Sequence, residues 1–220
     1  AHAGTLLDPI DAVSKIQWAV INADILVSQE NLHDAAQWFR RVLADAEKVD
    51  DRGHLRIYTA HLADLLVDID ATEEAKQLLG NIDPLLLNAN DCEKADTLAS
   101  MGWAALTLAA DSAQPGEVLR IGTKTVREIF NKALENRKKC IDNRLLANIY
   151  RGTAETAFFE HRYDDAQAAI EQASKIPGQS VQGKLDVQNL LARLALANGH
   201  KDDARRQFEA LDVTSQRYPA

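Results

Sequence analysis

Pairs of alanines twelve residues apart recur four times in this chain: Ala23 and Ala35, Ala63 and Ala75, Ala154 and Ala166, Ala192 and Ala204. Twelve residues is just enough to finish one helix, turn and begin an antiparallel one, since αα connections take about two to five residues. A small side chain at both points lets the two backbones approach closely. Each second alanine follows a polar turn (Asn31-Leu32-His33-Asp34, Ala71-Thr72-Glu73-Glu74, Arg162-Tyr163-Asp164-Asp165, His200-Lys201-Asp202-Asp203). Acidic residues there favour a helix N-terminus, through capping and the macrodipole. Apolar residues return four and seven places after each second alanine: Phe39 and Val42, Leu79 and Ile82, Ile170 and Ala173, Phe208 and Leu211. That is one face of a helix. The pattern predicts stacked helical hairpins; the alternative is an ordinary bundle with coincidental spacings.

A fifth, stretched unit fits between the second and third. Gly102 takes the small first-helix place, with Leu98, Met101 and Ala105 around it, and Val126, Phe130 and Ala133 repeat the second-helix pattern. The segment Asp111-Ser112-Ala113-Gln114-Pro115-Gly116-Glu117 reads as a turn, so this hairpin is expected to have longer helices, a longer loop, or both. Composition agrees with helices throughout: 35 alanines, 5% aromatic residues, and only 10 Gly and 5 Pro in 220 residues. The fold expected is all-α, an α-solenoid of five antiparallel hairpins and about ten helices. The hairpins fall near 13–49, 52–88, 92–136, 140–177 and 181–213, within one repeat domain spanning 1–220.

A net charge of −8 disfavours nucleic-acid binding, which needs a cationic footprint. There is no run of about 18 apolar residues to cross a membrane. The start, Ala1-His2-Ala3-Gly4, shows no apolar leader and no initiator methionine, and is read as a mature chain or an excised domain. Cys92 and Cys140 lack metal-site spacing. In the hairpin scheme they fall at the same end of neighbouring helices, about 10–15 Å apart, too far for a bond, which needs Cα atoms within about 7 Å. Free thiols are expected; a disulfide would point to an oxidising compartment.

The small-residue pattern resembles the tetratricopeptide repeat family over about residues 13–213. It departs from that family in lacking most large aromatics of the first helix, where Ala19, Thr59, Leu98, Tyr150 and Gln188 stand. Its intervals also run to 38–40 residues, against about 34 in the family. Such long intervals are similar to divergent repeats in bacterial signalling proteins. The resemblance implies that first helices line a concave groove. Its occupants would include Asp24, Asp64, Asp68, Trp103, Asn148, Arg151, Glu155, Phe158, Asn189 and Arg193. An extended partner segment would set basic groups on Asp64 and Asp68, an apolar side chain on Trp103, and an acidic group on Arg151 or Arg193. The family's carboxylate clamp is not visible, since Val20, Ala60 and Ala99 stand where a lysine is wanted.

No catalytic constellation stands out. His54, His61, Asp64 and Asp68 share a helix face, but no partner motif supplies further metal ligands. There is no Gly-rich phosphate loop and no nucleophile elbow. The run Arg137-Lys138-Lys139, with Arg144 beyond, suits a helix C-terminus. The function expected is non-catalytic protein or peptide binding in a regulatory or assembly system, with no cofactor and no metal. The alternative is a small-ligand or peptide sensor from a larger signalling protein, and a homodimer stays open.

Overall fold

All eight repeat alanines are buried, at 0 or 1% exposure, in a computed structural model that describes residues 9–81, 83–138 and 140–217. The class is all-α. The chain divides into two compact units, Ala1–Ala89 and Asn90–Ala220, each with a hydrophobic core of its own. Among the described residues no helix is long and apolar enough to cross a membrane.

The first unit holds α1 (Pro9–Ser28), α2 (Leu32–Lys48), α3 (Arg52–Asp68), α4 (Thr72–Gly80) and the single turn α5 (Asp83–Leu86). Successive helices pack on one another. Ile16 and Ala19 of α1 meet Val42 and Ala46 of α2 in a core that Trp38, Leu55 and Tyr58 border. Leu79 is buried as the repeat pattern expects; its companion Ile82 lies outside the described residues.

The second unit holds α6 (Asp91–Ser112), strands β1 (Arg120–Ile121) and β2 (Lys124–Thr125), α7 (Val126–Arg137), α8 (Asn143–Phe159), α9 (Tyr163–Ser174), α10 (Val181–Ala197) and α11 (Lys201–Arg217). Each hairpin pairs with itself, and α8 also packs on α6 and α10. First helices of successive hairpins are therefore neighbours. The stretched hairpin has both a longer first helix and a longer loop, the latter closed by an antiparallel pair, Arg120 with Thr125 and Ile121 with Lys124. Its register holds: Val126, Phe130 and Ala133 are fully buried. The last hairpin departs from expectation, because Phe208 is 37% exposed.

The repeated turns work differently from the capping that the acidic residues suggest. Asn31, Ala71 and Arg162, the residues at the caps of α2, α4 and α9, make no side-chain cap bond. Instead Glu30, Asp70, His161 and Gly199 occupy one equivalent place with φ of 57°, 58°, 57° and 82°. The next N–H in each case reaches back five residues: Asn31 to Leu26 at 2.9 Å, and Ala71 to Leu66, Arg162 to Ala157 and His200 to Ala195 at 2.8 Å each. This is the left-handed helix ending that satisfies orphan carbonyls. The acidic residues still lie in the first turns, where the helix dipole favours them.

Cys92 and Cys140 form a disulfide with Cα atoms 5.4 Å apart, which corrects the expectation of free thiols. The linker between α7 and α8 does not continue the regular helix spacing. After α7 ends at Arg137, the Cys140 N–H turns back to the Arg137 carbonyl at 2.7 Å. That turn delivers Cys140 to the first turn of α6. Arg137 lies in the last turn of α7, as its charge suits; Lys139 lies outside the described residues.

The Phe130 ring wedges between Gly102 of α6 and Gly152 of α8. A Cβ at Gly102 would stand 2.7 Å from the ring, and one at Gly152 would overlap it. Phe130 is fully buried and has nowhere to retreat. Gly152→Ala is therefore expected to destabilise the protein by about 1–3 kcal/mol through overpacking. Urea unfolding checks this, and adding Phe130→Leu should recover part of the loss.

Candidate functional site

Three parallel rows of side chains lie along α6, α8 and α10, at the sixth, ninth and thirteenth places of each helix. The sixth-place row is Asp96, Asn148 and Asp186; the thirteenth-place row is Trp103, Glu155 and Arg193. Trp103, Arg151, Glu155, Asp186 and Asn189 line a cavity of about 240 Å³. A second concavity, of about 350 Å³, shares Arg151 and extends toward Asp96, Arg144, Asn148 and Gln179. Together they make one cleft within the second unit, and they bring Trp103, Asn148, Arg151, Glu155 and Asn189 together as expected.

The arginines differ from expectation, because neither is free for an acidic ligand group. Arg151 is paired with Asp186 across α8 and α10. Arg193 reaches back from α10 to both Glu155 oxygens, at 2.9 and 3.0 Å. Burial pushes the Glu155 carboxyl above the usual carboxylate range, against the opposing pull of Arg193 and Arg151. The Arg151 guanidinium also lies 5.5 Å from the centre of the Trp103 ring, and Arg193 lies 4.4 Å from that of Phe158. Phe158 belongs to the core around Ile170 and Leu190, so it supports the cleft from beneath rather than lining it. Asp186 is missing from the groove positions expected from the sequence, although it holds the same sixth place in α10 as Asn148 does in α8.

Trp103 Nε1 and Arg151 Nε are buried and have no acceptor. Among the described residues, the side-chain amides of Asn148 and Asn189 have no hydrogen-bond partner either, and Asn189 is exposed. An unmet buried donor costs about 1–3 kcal/mol, so an acceptor supplied from outside would be bound with advantage.

Just past the end of α8, Glu160 is buried among three donors. It accepts from the Leu119 N–H at 3.3 Å, from Arg127 at 3.2 Å and from Arg162 at 2.9 Å. The Gly116 N–H adds a bond to the Phe159 carbonyl at 2.8 Å. These bonds tie the inserted loop to the end of α8. Glu160→Ala should cost about 1–3 kcal/mol, chiefly from the stranded Leu119 N–H, and amide exchange of residues 117–121 should report it.

The acidic positions Asp24, Asp64 and Asp68 belong to the first unit and form a face of their own. All three are exposed. Desolvation, aided by the charge of Asp68, pushes the Asp64 carboxyl up to about 6. Burial and the charge of Asp24 raise the Tyr58 hydroxyl. His54 is engaged with Asp51: its ring Nδ1 lies 2.7 Å from the carboxylate, which also caps α3 through the His54 N–H at 3.1 Å. Burial acts to raise Asp51, but these bonds outweigh it and hold its carboxyl low. His61 packs edge-on to Phe39 and Tyr58. Among the described residues no group of three His, Cys, Asp or Glu side chains is placed to hold a metal.

No family model matches the chain, and no curated protein matches it in sequence.

Because Asp64 binds its proton more tightly folded than unfolded, its contribution is fully present below about pH 4 and is lost as pH rises through about 6. Its exposure to water screens the effect, so only the direction is predicted. Asp64→Asn should raise the Tm at pH 7.5 and leave it unchanged near pH 4, as thermal melts at the two pH values would show.

Proposed function

We propose that the second unit is a non-catalytic peptide-binding module of tetratricopeptide-like design, serving a regulatory or assembly system. One observation carries the reading: an open polar cleft across three neighbouring first helices keeps two buried N–H donors and two side-chain amides without partners. Trp and Arg donors accept nothing, so they call for a carbonyl or carboxylate oxygen. Asparagine amides both donate and accept, matching the alternating groups of an extended main chain. Since Arg151 and Arg193 already have anionic partners, a neutral main-chain carbonyl fits better than a free acid. The tetratricopeptide-like assignment draws its support from the eight buried alanines and from first helices packed side by side in the second unit.

The second reading, a small-ligand sensor, draws on the 350 Å³ concavity, within the usual range of about 300–1,000 Å³ for ligand pockets. Such pockets are mostly apolar, however, and this lining is mostly polar, which favours the peptide.

Selection of a random peptide display library on the immobilised protein tests the proposal. A selected peptide should lose about 2 kcal/mol of binding with Trp103→Ala. Trp103→Phe, which keeps a ring against Phe130 and removes the donor, should lose about 1 kcal/mol. Helicity should be unchanged in both variants. Failure to enrich any peptide, or equal affinity for all three proteins, would overturn it.

A further inference from the structure

We propose that the Cys92–Cys140 disulfide is a redox-sensitive clasp on this cleft: oxidised, it fixes the N-terminal ends of α6 and α8 together, and its reduction by a dithiol frees α6 there and weakens ligand binding. The binding half rests on the peptide reading above; the conformational half does not.

The placement makes the case. Cys92 lies in the first turn of α6, and Cys140 three residues before α8. One turn beyond Cys92 stands Asp96, and two residues beyond Cys140 stands Asp142; both line the larger concavity of the cleft. The bond therefore lies next to residues at the rim of the proposed ligand site. At the opposite end of α8 the loop that follows α6, and α7 after it, are fastened separately, by Gly116 to Phe159 and by the bonds to Glu160. Midway, Phe130 packs between Gly102 and Gly152. Cutting the disulfide leaves the middle and far fastenings intact, so release is confined to the near end. The next pair of helices, α8 and α10, keeps its two cross-helix ion pairs whatever the redox state.

The chemistry favours attack from one side. Cys92 is exposed, whereas Cys140 is 5% exposed. A reductant thiolate attacks the Cys92 sulfur, forming a mixed disulfide, and Cys140 leaves as a thiolate that takes up a proton. The reductant's second thiol then displaces Cys92, which is protonated in turn. The balance is one protein disulfide and one dithiol going to two protein thiols and one cyclic disulfide, with two electrons transferred. A bond of this kind persists where thiols are kept oxidised, which places the ligand-competent form in an oxidising compartment.

Amide exchange on the full chain, before and after dithiothreitol, tests the clasp with no ligand present. Intact mass should show a gain of two hydrogens on reduction. Exchange at residues 95–99 and 146–148 should then rise about tenfold or more, while α9 and α10 stay unchanged. The Cys92→Ser/Cys140→Ser variant should copy the reduced protein and ignore dithiothreitol. A peptide selected by display on the oxidised protein should bind the reduced form at least about fivefold more weakly, within the range of ordinary coupling. No mass gain, unaltered exchange, or a variant that loses its helicity altogether would overturn the clasp, the last by showing that the bond holds the whole unit. Altered exchange with unaltered peptide affinity would overturn its coupling to the cleft. If exchange changes but no peptide binds either form, the clasp stands and the peptide reading falls.

Discussion

Close approach of helix backbones is the constraint on which this molecule depends. Interhelical distance is set by the side chains at the contact, and here buried alanines recur at both repeat places of four hairpins, with Gly102 and Val126 in the stretched one. Small residues at the crossing let large ones, such as Ile16, Leu66, Phe130 and Ile170, fill the layers around it. Phe130 shows the tolerance of the arrangement. Its ring occupies the room that two missing β-carbons provide, one on α6 and one on α8, so a single second-helix residue sets the spacing of two first helices. The cleft they bound inherits that spacing.

Charge is used sparingly in the cleft. The pairs Arg151–Asp186 and Arg193–Glu155 run in opposite directions between α8 and α10 and cancel. Partly exposed pairs of this kind add little stability; what they contribute is orientation. Each guanidinium is also held against an aromatic ring, Trp103 or Phe158. With these two pairs balanced, the buried donors left for a ligand are the Trp103 and Arg151 N–H groups, while Asp96, Asp142 and Arg144 carry charge at the larger concavity. The carboxylates of the first unit contrast with this: desolvation first, and the charge of Asp68 second, raise the proton affinity of Asp64.

The inserted loop and the disulfide serve one geometrical purpose from opposite ends. Glu160 gathers a backbone N–H and two arginines at the far end of α8, and the Cys92–Cys140 bond joins the near ends of α6 and α8. Neither device belongs to the repeated pattern. Both occur at the stretched hairpin, where the regular interval breaks and ordinary stacking has the most chain to accommodate.

The sequence by itself determined the hairpins. Spacing of small and apolar residues along a helix is a local property, and the burial of Ala23, Ala63, Ala154, Ala192 and their partners follows from it directly. It also indicated most residues of the cleft, because a fixed register carries the thirteenth-place residues Trp103, Glu155 and Arg193 to one face. The αL turns escaped it, since Glu30, Asp70 and His161 carry none of the glycine signal that marks such a conformation. Only the tertiary structure decided who pairs with whom: that Arg151 is neutralised by Asp186, that Phe158 faces the core, and that Cys140 meets Cys92. Pairing across dozens of residues depends on how a linker bends and on which neighbour arrives first at a given atom, and a one-dimensional pattern does not encode either.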